Sequence, residues 1–93
     1  MAYRKTEPME FEVTRIGATA TTPKGNVYLE CETGLGIVAF WGDSRSMTNI
    51  ETIRHQTPPF RLQCGCIPPS RSFPQHKLWV PQSVSVEVLP RRD

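Results

Sequence analysis

Apolar and polar positions alternate with a period of two along most of the chain, the pattern of β-strands with one buried face. The alternation is clearest in residues 26–42, NVYLECETGLGIVAFWG. Val27, Leu29 and Cys31 interleave with Tyr28, Glu30 and Glu32, and Ile37-Val38-Ala39-Phe40-Trp41 then forms a continuous apolar run. Thr33-Gly34-Leu35-Gly36 between them supplies the glycines of a tight hairpin connection. Upstream, Phe11, Val13 and Ile16 alternate with polar residues, but the phase slips by one, which predicts a bulge near Arg15 or Ile16. Ala18-Thr19-Ala20-Thr21 extends that strand into a Pro23-Lys24-Gly25-Asn26 turn. Downstream, Phe60, Leu62, Cys64 and Cys66 predict a fourth strand. Residues 77–81 predict a fifth, and Val84, Val86 and Val88 continue the alternation after a break at Pro81-Gln82.

Between the third and fourth strands the period changes. Met47, Ile50 and Ile53 are spaced by three, as on one face of a short helix that Asp43 or Ser44 would cap. Gln56-Thr57-Pro58-Pro59 stops it. Residues 68–76, PPSRSFPQH, have no regular pattern and read as a long, proline-stiffened loop. The expected organisation is one all-β domain over residues 9–90, a flexible lead-in over 1–8 and a polar tail over 91–93.

Composition narrows the class. With 93 residues, 38% hydrophobic and 22% charged, the chain is in the range of a single small globular domain. It has no apolar run near the ~20 residues that a membrane helix needs, and its first residues lack a signal-peptide core, so a cytoplasmic location is expected. Cys31, Cys64 and Cys66 are odd in number and fall inside strand patterns, as buried free thiols do. The net charge is +2, yet residues 54–77 hold Arg54, Arg61, Arg71 and Lys77 without an acid. If these side chains shared a face, the field there would be more positive than the net charge implies.

Three strands, a short helix or loop, then two more strands is the order of the five-stranded OB barrel. The resemblance covers roughly residues 10–89. It is carried by the bending Thr/Ala-rich first strand, the PKGN turn, TGLGIVAFWG, FRLQCGC and LWV…VEVL. The similarity implies a small OB-like β-barrel that binds single-stranded nucleic acid, DNA or RNA, with little sequence specificity. In such barrels bases stack on aromatic rings of the second and third strands, and two loops flank the groove.

The residues that suit this chemistry are outward aromatics and cations. Tyr28 points opposite to Val27 and Leu29, and Trp79 opposite to Leu78 and Val80. Together with Phe73 these rings are candidate stacking platforms. Lys24, Arg61, Arg71 and Lys77 are candidate phosphate contacts, with Gln63 and His76 beside them. Phe40 and Trp41 read as core or sheet packing, and Glu30 and Glu32 would place negative charge on the outer face of the second strand.

Neither histidine has the setting of a catalytic triad, and no glycine-rich piece matches a phosphate or dinucleotide loop, so no enzymatic activity is expected. His55, Cys64, Cys66 and His76 are zinc-ligand types, but a Cys-Gly-Cys spacing within a strand is narrower than that of zinc motifs, and no metal or cofactor is expected. The alternative is a protein-interaction module, an accessory subunit or inhibitor, using the same β surface and the 68–76 loop; an exposed sheet edge would also suit a homodimer.

Overall fold

The long first strand organises the sheet. In the computed structural model, which describes residues 6–42, 48–69, 71 and 75–90, β1 (Glu7–Thr21) is followed by β2 (Val27–Thr33) and β3 (Gly36–Gly42). The helix α1 (Thr48–Arg54) comes next, then β4 (Phe60–Cys66), β5 (Leu78–Val80) and β6 (Glu87–Val88). The fold is mostly β, a single six-stranded sheet in the order β5-β3-β2-β1-β4-β6. β1 pairs with β4 through its first half and with β2 through its second, and Val13 is the crossover, opposite both Phe60 and Thr33. Register shifts between Val13 and Arg15 and between Ile16 and Thr19 bend the strand where the alternation slips. β3 and β5 run parallel, and Ile67, one residue past β4, pairs with Trp79 through two backbone hydrogen bonds of 2.7 and 2.8 Å.

Inward positions build one core. Val13, Leu29, Val38, Phe40, Leu62 and Val80 come from five strands and are fully buried, and Phe11 meets Phe40 at a ring separation of 6.3 Å. Burying a side chain of this size contributes about 1.5–3 kcal/mol relative to leaving it in water. Ile50 and Ile53 of α1 dock on the same core, as their spacing predicts. Met47 and the capping residues Asp43 and Ser44 lie outside the described residues.

The C-terminal segment departs from the expectation. Val84, Val86 and Val88 do not continue the fifth strand. Proline 81 lacks the N–H a ladder needs, the Val84 N–H donates to its carbonyl in a turn, and the chain crosses to the other edge of the sheet. There β6 pairs with β4, Val88 opposite Leu62, and the three valines pack against the core from outside. The sheet thus has six strands where the pattern predicts five. Among the described residues no helix is long and apolar enough to cross a membrane.

Candidate nucleic-acid interface

The β2–β3 hairpin sets the floor of the candidate site. Thr33 pairs with Gly36 across a two-residue turn, and counting back along the ladder places Tyr28 opposite Trp41 and Val27 opposite Gly42. Leu29 and Phe40 point into the core, so Tyr28 and Trp41 share the outer face, where their rings stack with centroids 5.1 Å apart and planes 24° from parallel. On the far side of β3, Trp79 of β5 packs against Trp41 at 5.3 Å and 50°. Such contacts contribute about 0.5–1.5 kcal/mol each beyond the area they bury. Trp41, in the middle, is only 7% exposed, whereas Tyr28 and Trp79 are half-buried.

The three rings lie along an open groove of about 700 Å³, within the ~300–1,000 Å³ of small-ligand sites. One wall is the β1–β2 turn, with Pro23 and Lys24 at its tip. That turn is well tied: the Gly25 N–H donates to the Thr22 carbonyl at 2.9 Å, the Thr22 N–H to the Asn26 carbonyl at 2.8 Å, and the Asn26 N–H to the Thr22 hydroxyl at 3.2 Å. Gly25 takes a φ of +87°, which a side chain would resist. Pro81 and Gln82, just past β5, form the other wall. Asn49 of α1 is 3% exposed and its amide donates to the Pro81 carbonyl at 3.1 Å. A residue that weakens the helix by propensity thus anchors a wall of the groove.

Of the residues the sequence singles out, the structure brings Lys24, Tyr28 and Trp79 to this groove. His76 is buried at 2% exposure; its Nε2 lies 3.1 Å from a Glu30 carboxylate oxygen and its ring meets the edge of Tyr28 at 5.5 Å. It supports Tyr28 and is not a surface contact. Lys77 lies over Gly36, and its N–H donates to the Ile37 carbonyl. That is the opposite end of β3 from Gly42, about 20 Å away at the rise of a strand. Arg61 and Gln63 are on the outer face of β4, separated from β2 by β1. Arg71 is exposed in the connection between β4 and β5, and Phe73 lies outside the described residues.

The acid-free stretch does not make a positive face. Arg61 pairs with Glu10 across the β1–β4 ladder at 3.3 Å, and Arg54 lies 3.7 Å from Glu51 one helical turn away. Cross-strand pairing brings Arg61 a carboxylate from a distant part of the sequence, whereas the partner of Arg54 is local to its helix. On the outer face of β2, Glu32 lies 3.6 Å from Arg15 of β1, and Glu30 lies 3.1 Å from the His76 ring nitrogen.

Trp41 packs between Tyr28 and Trp79 at 7% exposure, as its reading as core or sheet packing expects, and the two-residue turn fixes the register that sets it beside Tyr28. The cysteines are all free and buried. Cys64 and Cys66 face the core with sulfurs 3.8 Å apart; the hydrogen bond to Cys66 and burial both push the Cys64 thiol up. Among the described residues no three His, Cys, Asp or Glu side chains converge as a metal site. No protein-family model, curated protein or solved structure matches this chain.

Proposed function

We propose that this chain is a non-enzymatic OB-like barrel that binds single-stranded nucleic acid with little sequence preference. The observation that carries the reading is the row Tyr28–Trp41–Trp79, half-buried at both ends along an open groove whose turn presents Lys24. Rings on adjacent strands offer π-faces that any base can stack on, which gives affinity without readout of base edges. The OB-like architecture is supported by β1 shared between β2 and β4, by α1 between β3 and β4, and by the parallel β3–β5 pair. The bridge from Ile67 to Trp79 adds to it, because it links β5 back to the chain leaving β4. The three free thiols suit a reducing, cytoplasmic setting.

The test is fluorescence anisotropy of a labelled single strand at low salt, with Tyr28→Ala and Trp79→Ala. Wild type binds and each variant binds more weakly, by about 1–3 kcal/mol per stacking ring lost. Absence of binding, or binding indifferent to both substitutions together, overturns the reading. A protein-docking role has a narrower basis. Leu35 and Ile37 are the exposed large hydrophobics among the described residues, and they sit at the other end of the hairpin from the rings.

A further inference from the structure

We infer that the groove seats a two-base step of a single strand, one base on each outer ring, with the single phosphate between them facing Lys24. This inference rests on the single-strand reading above and specifies the ligand of that same site.

Three observations limit the ligand to this size. The first is the exposure of the rings. Trp41 is 7% exposed between its neighbours, whereas Tyr28 and Trp79 are half-buried, so a base reaches the two outer rings more readily than the middle one. The second is charge. Lys24 is the one cation, and no acid joins it, among the described residues that line the groove. The other candidate cations lie elsewhere: Arg61 pairs with Glu10, Lys77 sits at the far end of the hairpin, and Arg71 is exposed in the β4–β5 connection and does not line the groove. A surface that tracked a long strand would carry a line of cations past the rings. The third is space. The groove of about 700 Å³ is flanked at one side by the β1–β2 turn and at the other by Pro81 and Gln82, a volume in the range of sites for drug-sized ligands. Asn26 and Gln82 put neutral amides at the rim, able to donate to or accept from any base edge.

The experiment uses the full chain and thymidylate oligomers of two, four and eight nucleotides, followed by tryptophan fluorescence over a range of salt. Affinity, after correction for the number of registers a longer strand offers, levels off at the dinucleotide. The slope of log K against log salt is about −0.7, the value for one phosphate contact on a single strand, and Lys24→Ala brings it to near zero. Lys24 is exposed on its turn, so this variant tests the charge contact without disturbing the packing. Tyr28→Ala and Trp79→Ala each weaken binding by about fivefold to a hundredfold and leave the slope unchanged. Corrected affinity that keeps rising to eight nucleotides, or a slope steeper than about −2, overturns the two-base step while single-strand binding stands. If the eight-nucleotide strand does not bind at the lowest salt, the single-strand reading falls and this inference falls with it.

Discussion

Replacing Gly17 with alanine should destabilise the fold through one identifiable contact. Gly17 sits in the second register shift of β1, opposite Glu30 of β2, and a Cβ built there would lie 2.6 Å from the Glu30 carbonyl oxygen. The obstacle is backbone, in the strand that carries Tyr28, so it cannot swing aside as a side-chain end would. Either β1 or β2 must shift by several tenths of an ångström, and overpacking of this kind costs about 1–3 kcal/mol. Losing glycine's freedom in the unfolded chain offsets about 0.4–1 kcal/mol of that. The net loss is about 1–2 kcal/mol, which for a domain of this size lowers Tm by about 5–15 °C. Gly34→Ala is the matched control, because its Cβ would meet no heavy atom within 4 Å. That variant should match wild type or gain up to about 1 kcal/mol. Urea and thermal unfolding of the two variants against wild type give both numbers. Equal stability of Gly17→Ala and Gly34→Ala, within about 0.5 kcal/mol, would show that β1 and β2 are not in close contact at this bulge.

Two further outcomes follow from buried polar groups. Asn49→Ala removes the amide that donates to Pro81 and leaves a cavity in its place, so urea unfolding should show a loss of about 1–3 kcal/mol. The variant should also bind a labelled strand less tightly than wild type, because one wall of the groove loses its anchor; unchanged stability would argue against the Asn49–Pro81 bond. Burial pushes the Cys31 thiol from 9.0 up to about 11, against a smaller opposing hydrogen bond from the Gly17 backbone. Its folded pKa is above the unfolded one, so its contribution to stability is complete below about pH 9 and is lost as pH rises towards 11. Wild type should lose stability relative to Cys31→Val by roughly 1.4 kcal/mol per pH unit across that window. Parallel pH profiles for the two proteins would refute this assignment.

Local alternation made the strands legible. Phe11/Val13, Leu29/Cys31 and Leu62/Cys64 all face the core as their period requires, and the slip after Val13 marks where β1 changes partners. The valines after Pro81 show where alternation falls short. Period two says which face a residue takes but not which neighbour the strand finds, and Val84, Val86 and Val88 are as well suited to the edge of β4 as to an extension of β5. Charge was the least legible property for the same reason. Residues 54–77 lack acids along the sequence, yet Glu10 comes from β1 to meet Arg61. A run of like charge in a sheet protein measures only its own strand, since the neighbour across the ladder is set by topology.

The candidate site follows from register, a constraint between these two kinds of information. Residue types alone suggest a site at β4, β5 and the loop between them, because Arg61, Arg71, Phe73 and Lys77 fall there and Glu30 and Glu32 count against β2. Register reverses the weighting. The tight turn at Gly34-Leu35 commits Tyr28 to Trp41, and the parallel approach of β5 commits Trp79 to the same row. Three aromatic rings on three adjacent strands then meet at one end of the sheet, beside the turn that presents Lys24. The Glu30 carboxylate lies 3.1 Å from the buried His76, whose ring meets Tyr28 edge-on. The acid that argued against the hairpin as a binding surface is therefore part of what holds its outer ring in place.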